Sequence, residues 1–564
     1  MGARRGVAGH PLVWGGLLAV FAVQVLLAAR VKSATFDEPA HIGAGLSYFK
    51  TGEFKLNAQH PPLLKEIAAL PLLAIGARWP VPETVWRQVS DPPPVWLQWQ
   101  VGSEVLAVNG LDRVLFWSRL PFIGLAAALG ACLYLWGRRL FGAGTALAAL
   151  ALFVLDPTIV AHAPLVATDI GFAFFVLLFT ALLWHYCEHR TLRRLLWCGA
   201  ALGGALGAKF SAVFLLPIAL ILVLAAARFI PAAVPRQASN LVDPFAAPGL
   251  FTRGVWSLWA LLAMGLVAAV GVHALYFFPA NPFVYLEGLK RVNADHDTTY
   301  LAFMAGEFKP HFWSYYLVAM LLKQPLALLV LAAIGAWRLL SRDAVAALDR
   351  AFLWVPPMVL FVAYSIFSDN LGIRYMIPVL PFVHLTGGVG LAALVRRGGG
   401  GRVAGVVLLA WLVVASAGIH PDHLSYFNEA ACLPTEITLI GTDGGTRCGP
   451  SWFDDSNVDW GQGLKQLRAW AAGQPPIAGQ PPGPIRFAYF GSLPPEQSGI
   501  TWERIGTEEL RQKPPPGRYV LSAHMLARTR ALLRLQYGDG PGNWMTGMIP
   551  LAVVGHAYYV YDVP

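Results

Sequence analysis

Residues 11–31 read PLVWGGLLAVFAVQVLLAARV, and residues 36–65 continue as FDEPAHIGAGLSYFKTGEFKLNAQHPPLLK. The first stretch has the length and apolarity that about 30 Å of hydrocarbon demands of a helix. The second puts Asp37 and Glu38 at the end of that run, where charge is costly unless water, a partner or a substrate compensates it. His41, His60 and Lys65 follow, so an acid, bases and a cation share one short segment at a membrane surface. An interfacial loop with solvated charges and a reaction centre are the two readings of that segment.

The rest of the chain shares the apolar character. Of 564 residues, 56% are apolar and 13% charged, and mean hydropathy is +0.53, against roughly 25% charged residues in soluble domains. This composition predicts a polytopic α-helical membrane protein. Apolar runs lie at about 11–31, 113–136, 142–161, 168–187, 254–277, 313–339, 351–367, 375–395 and 403–419, and region 195–228 holds two more around Lys209, giving about eleven spans. Segment 63–77 is too short to cross and reads as an amphipathic surface helix. With it excluded, Arg4, Arg5, Arg138, Arg139, Arg193, Arg194, Arg236, Arg338, Arg342, Arg396 and Arg397 all fall on one side, the cytoplasm. The first run lacks a small-residue cleavage site after it and is read as a retained span. The net charge of +10 sits largely in those loops, which topology and anionic headgroups explain, so nucleic acid is excluded as a partner.

Residues 1–419 are therefore expected to form the membrane domain, with a first external loop at 32–112 and a second at 278–312. In the first loop, prolines and tryptophans between 78 and 112 argue against regular helix. Residues 420–564 change character, with short β-like runs IRFAYFG, RYVLSA and AYYVYDV after a Pro-rich linker at 474–485. They read as a soluble α/β domain on the outer side. Cys432 and Cys448 both fall in it, and a disulfide between them is plausible in an oxidising compartment.

The order Asp37-Glu38, His41, Tyr48-Phe49, His60-Pro61-Pro62-Leu63 and Lys65 resembles the first external loop of the protein O-mannosyltransferase family and its bacterial phospholipid-carrier-dependent relatives, which are GT-C glycosyltransferases. Further phrases are similar: Asp169 opening an apolar helix, Lys323-Gln324-Pro325, Arg374-Tyr375 with Pro378 and Pro381, and YFNEA and DSNVDWGQ in the tail. The resemblance implies a GT-C membrane enzyme of a bacterial inner membrane, with its site and C-terminal domain facing the periplasm. It would move a sugar from a polyprenyl-phosphate donor to a protein, lipid or glycan hydroxyl.

Under that resemblance Asp37 is the expected base, and Glu38 and Asp169 orient the acceptor or stabilise charge at the anomeric carbon. His60, Lys65, Arg374 and Lys209 face the donor phosphate, and His41 and His296 contact the acceptor or line the loop. Each has a plainer alternative. Asp169 can cap its helix, Lys209 can snorkel, and Arg374 can pair with Asp369. Asp37 and Asp169 together are a possible site for a divalent ion, and His296, Asp295, Asp297 and Glu307 another, though that spacing fits no recognised ligand set. Asp454, Asp455 and Asp459 read either as a cation site or as a loop before a helix. Transport of a lipid-linked sugar and a scaffold built on the tail are the competing functions; no internal repeat supports the former.

Overall fold

The first apolar run forms helix α1 (Pro11–Val31), with Pro11 at a helix start where its missing N–H costs nothing. A computed structural model of the chain describes residues 9–229, 250–294, 300–341, 346–434, 436–474, 484–540 and 542–563. His296, Asp295, Asp297 and most of the Pro-rich linker lie outside the described residues, as do Arg4, Arg5, Arg236 and Arg342. After α1 come α2 (Glu38–Thr51), α3 (Leu63–Ala74), the single turn α4 (Glu83–Trp86) and α5 (Leu97–Asn109). Segment 78–112 thus departs from the expectation of irregular chain. Its prolines end at Pro94, and the following LQWQVGSEVLAVN forms regular helix.

The bundle continues through α6 (Leu111–Phe141), α7 (Ala143–Leu155), α8 (Pro157–His162), α9 (Thr168–Glu188), α10 (Leu192–Ala208), α11 (Leu215–Phe229) and α12 (Leu250–Leu275). It then runs through the surface helix α13 (Val284–Ala294), a hairpin of β1 (Ala302–Met304) and β2 (Glu307–Lys309), and α14 (Tyr315–Lys323). Helices α15 (Leu326–Leu340), α16 (Ala347–Phe367), α17 (Leu380–Arg397) and α18 (Gly399–Gly418) complete it. Among the described residues seven helices are long and apolar enough to cross a membrane, or eight if α14 and α15, bent by 110° at Gln324-Pro325, count as one. The chain is a polytopic helical membrane protein. Large apolar side chains stay exposed on outer faces, Leu262 and Leu266 on α12 and Val403 and Val407 on α18 among them, a surface that hydrocarbon tolerates and water does not. Three further helices, α7, α10 and α17, are shorter or less apolar and pack inside the bundle against α6, α12 and α15.

Beyond α18 the chain forms short 3₁₀ turns, then α19 (Leu464–Ala472), β3 (Ile485–Ala488), β4 (Trp502–Arg504), α20 (Thr507–Leu510), β5 (Gly517–Ser522), α21 (Ala523–Tyr537), β6 (Ala552–Val554) and β7 (Tyr558–Val563). The strands form one mixed sheet in the order β4-β3-β5-β7-β6, parallel across β4-β3-β5 and antiparallel beyond. Ser522 ends β5 and caps α21 by accepting from Met525 N at 3.2 Å. Cys432 and Cys448 are joined in a disulfide.

This region is laced onto the chain just past α1. Ser33 N donates to Gln462 O at 2.9 Å, and Phe36 N to Trp460 O at 2.8 Å. Lys32 pairs with Asp422. On the far side of Asp422 stands His556, from the turn between β6 and β7, with Nδ1 2.7 Å from Asp422 and Nε2 3.2 Å from Asp443. Burial lowers the imidazole's proton affinity, but its bonds to the two carboxylates win and raise it to about 9. The carboxyls of Asp422 and Asp443 are held below their usual range, whereas burial acts on Lys32 in the opposite direction to its pairing and lowers it.

A histidine raised in the fold contributes stability that is fully present below its unfolded value near 6.5 and lost as pH climbs through about 9. The expected result is a thermal unfolding midpoint that falls between pH 6.5 and 9.5 in the wild type. His556→Gln, melted at the same scan rate, should lose most of that slope. Equal slopes in both proteins would show that the latch contributes nothing.

Candidate active site

Asp37 and Glu38 are neighbours with opposite surroundings. The segment between α1 and α2 turns so that Asp37 occupies the N-cap position of α2 without its side chain capping the helix. Its carboxylate instead accepts from Arg374 Nη1 at 2.7 Å. Glu38 points inward and is 0% exposed. Arg119 grips it bidentately at 2.8 and 2.6 Å, and Thr35 N, Thr35 Oγ1 and Val166 N also donate to it. The remaining Arg119 donors reach Ala29 O, Lys32 O and Ser33 O. Burial pushes the Glu38 carboxyl up, but Arg119 and the two amides outweigh it and hold it below its usual range. Glu38, expected to orient the acceptor or stabilise charge at the anomeric carbon, has both oxygens engaged, and these bonds tie the Asp37 segment to α6 and the α8–α9 connection.

Arg374 is set by the tail. Asn457 Oδ1 accepts from Ile373 N at 3.0 Å, and Ser456 Oγ donates to Leu371 O at 2.6 Å. Gly372 has a φ of 109°, and a Cβ there would lie 2.1 Å from Ser456 Oγ, so only glycine fits this approach. The Arg374 guanidinium lies 4.4 Å from the Trp460 ring and 5.6 Å from that of Tyr375. Asp37 is its carboxylate partner, where pairing with Asp369 had been the alternative. Lys209 shares the Tyr375 ring, 4.3 Å from it, and donates to Asp169 at 2.7 Å. Neither capping nor snorkelling describes these two residues: Ala167 is the N-cap of α9, Asp169 makes no capping bond, and Lys209 turns inward. Arg374 thus acts electrostatically on both Asp37 and Asp169, with Tyr375 as a common floor.

The remaining basic residues form a brace. Helix α2 carries Gly43 and Gly45 on roughly opposite sides. A Cβ on Gly43 would meet Gly102 of α5 at 2.7 Å, and one on Gly45 would meet Lys65 O of α3 at 2.0 Å. The close packing of α5, α2 and α3 buries Lys65 and Glu66, correcting the expected amphipathic surface helix. Lys65 Nζ donates to Asn57 O and His60 O, both at 2.7 Å. Burial puts its ammonium well below the usual range and raises Glu66 to about 7. The His41 and His60 rings lie 5.2 Å apart. Burial pushes His41 down to about 4 and, with His41 and Lys65 adding to the effect, leaves His60 well below the ordinary imidazole range. His60 and Lys65, expected to face the donor phosphate, thus sit side by side in this brace, with the Lys65 ammonium bonded to the turn that carries His60.

Side-chain exposure separates the three acids, at 20% for Asp37, 2% for Asp169 and 0% for Glu38. Asp37 is the one a ligand can reach. Each of Asp37 and Asp169 already has a side-chain cation, and no group of three His, Cys, Asp or Glu among the described residues is placed to hold one. Glu307 is exposed and paired with Lys309, and Asp454 is paired with Arg528. Asp455 accepts from Tyr300 and its carboxyl is raised by burial despite the nearby Arg374. Reading the sequence missed Arg119 and Trp460. The only signal for Arg119 was a cation inside an apolar helix, itself a mark of function or of a buried partner.

A family model described as dolichyl-phosphate-mannose-protein mannosyltransferase matches residues 104–238. That stretch holds Arg119, Asp169 and Lys209 but neither Asp37 nor Arg374, and the model belongs to the family that the motifs resemble. No curated protein matches the chain. Among solved structures, ArnT of Cupriavidus metallidurans with undecaprenyl phosphate is 12% identical, covers 98% of this chain and 99% of its own, and has a TM-score of 0.46. AglB of Archaeoglobus fulgidus, solved with an inhibitory peptide and a dolichol-phosphate, is 12% identical over 96% of this chain and 75% of its own, with a TM-score of 0.44. The S. cerevisiae Pmt1-Pmt2 complex bound to its sugar donor is 17% identical over 50% and 34%, with a TM-score of 0.31.

Proposed function

We propose that the chain is a glycosyltransferase that moves a sugar from a polyprenyl-phosphate donor to an acceptor hydroxyl, with inversion at the anomeric carbon. The observation that carries this reading is the pairing of Asp37, the most exposed of the three acids, with an arginine whose Nε is held by Leu371 O and whose Nη2 has no acceptor among the described residues and is left for an anion. A sugar phosphate already has a good leaving group, so one base suffices. Asp37 takes the acceptor proton as the acceptor oxygen bonds to the anomeric carbon. The bond from that carbon to the phosphate oxygen breaks, and its electron pair leaves with polyprenyl phosphate. Arg374 meets the developing phosphate charge through its planar fork, with Lys209 as a second cation beside Tyr375. Asp169 holds Lys209 in place, and the neutral rings of His41 and His60 offer hydrogen bonds instead of charge. No step requires a metal.

In this reading α7, α10 and α17 complete eleven spans, the arginine-rich ends face the cytoplasm, and residues 420–564 form the outer domain. The family model supports the reaction class. The test is incubation of the reconstituted protein with radiolabelled polyprenyl-phosphate sugars and membrane acceptors. Label appearing in an acceptor, with polyprenyl phosphate released in equal amount, is the expected result. Label that changes leaflet while still attached to its carrier would overturn transfer in favour of transport.

A further inference from the structure

At the end of the bundle opposite Asp37 a groove opens between α7, α17 and α18. It has a volume of about 370 Å³, within the range of small-molecule sites, and is lined by apolar or small residues such as Ala148, Leu391, Val406 and Leu409. Its mouth adjoins a second cavity of about 750 Å³ on the α15 side, and the two share Phe141, Thr145 and Arg396. Three guanidinium groups line this second cavity, Arg338, Arg396 and Arg397. The geometry therefore sets an apolar slot beside a cluster of positive charge.

A general excess of arginine at one end of a bundle requires no ligand. These three are set apart by lining one cavity, which Arg138, Arg139, Arg193 and Arg402 do not. Arg194 donates to His185 O and His189 O, and Arg350 to Leu339 O and Ser341 O, so both are spent on helix-end carbonyls. Among the described residues the side chains of Arg338, Arg396 and Arg397, like those of Arg138, Arg139 and Arg193, have no hydrogen-bond or carboxylate partner, but these three alone line the cavity. Like charges brought together without a counter-charge repel one another, and an anion at the cavity relieves that. The slot beside them, in a wall of exposed apolar helix, demands that the anion carry hydrocarbon.

We propose that this groove binds one anionic glycerophospholipid from the leaflet opposite the candidate active site, its phosphate on Arg338, Arg396 and Arg397 and an acyl chain between α7, α17 and α18. Arginine suits the role because its fork engages phosphate oxygens bidentately. Basic pockets between helices on the cytoplasmic side take phospholipid headgroups by the same chemistry. Helix α6 runs from Arg119 at the candidate active site to Phe141 at the groove, about 30 Å at 1.5 Å per residue, so the lipid is separate from any donor at Asp37.

The test is native mass spectrometry of the full chain in detergent, titrated with palmitoyl-oleoyl phosphatidylglycerol or with phosphatidylcholine of the same chains. One phosphatidylglycerol should be retained about a hundredfold more tightly than phosphatidylcholine, each arginine contributing roughly a factor of five. The triple variant Arg338→Ala/Arg396→Ala/Arg397→Ala should lose that preference, and Ala148→Trp, which fills the slot and leaves the charges, should weaken retention at least tenfold. Equal retention of the two lipids by the wild-type chain would overturn the proposal without recourse to any variant. So would displacement of phosphatidylglycerol by equimolar undecaprenyl phosphate, which would assign the groove to the carrier.

Discussion

On the proposed reaction, replacing Asp37 with asparagine should lower the turnover of sugar transfer by about a thousandfold, within the range that a positioned general base contributes. The substitution is isosteric, and its amide oxygen can still accept from Arg374, so the fold of the site is kept. What disappears is the group that receives the acceptor proton. Because the carboxylate, paired with Arg374, would also compete with a donor phosphate for it, KM for the donor should stay level or fall while kcat collapses, the pattern of an interaction made in the transition state. Steady-state transfer by purified, lipid-reconstituted protein separates the two constants. A loss smaller than tenfold in kcat would remove Asp37 from the role of base.

The second large effect is on stability. Arg119→Ala leaves Glu38 buried with its charge uncompensated and three carbonyls, of Ala29, Lys32 and Ser33, without their donor. Breaking a buried pair from one side costs about 3–5 kcal/mol. The variant should be recovered in low yield and unfold at a clearly lower temperature than the wild type. The neutral double variant Arg119→Met/Glu38→Gln should recover much of the loss, since it buries no lone charge and the two sites are in direct contact. Transfer by the double variant below its unfolding temperature distinguishes the two acids: measurable activity fits Glu38 as a positioning residue, and activity as low as that of Asp37→Asn would place Glu38 among the groups that touch substrate.

The difference between the two carboxylates was not legible in the sequence. Asp37 and Glu38 are adjacent, chemically similar and at the same membrane depth, and what separates them is a partner far along the chain, Arg119 for one and Arg374 for the other. Long-range pairing of this kind leaves no periodicity. The same holds for Lys65 and Glu66, which look like the polar face of a surface helix until the glycines at 43, 45 and 102 bring three helices together over them. Trp460 sits in a phrase that reads as a loop before a helix, and only the docking of Ser33 and Phe36 against residues 460–462 makes it a wall of the site. By contrast the apolar runs and the short strands of the tail were legible, because each depends on local pattern. Helix α5 was hidden by the prolines ahead of it. Those residues govern only their own positions and the one before.

The proposed reaction is a single displacement by an acceptor hydroxyl activated at Asp37. The configuration of the product records the number of displacements, since one inverts the anomeric carbon and two, through a glycosyl-enzyme intermediate, restore it. The most direct measurement is the anomeric configuration of the newly formed glycosidic bond, read by proton NMR from its coupling constants and compared with that of the donor. Inversion is the expected result. Retention would require two displacements, with a carboxylate such as Asp37 acting as nucleophile instead of base, and would contradict the proposed single displacement.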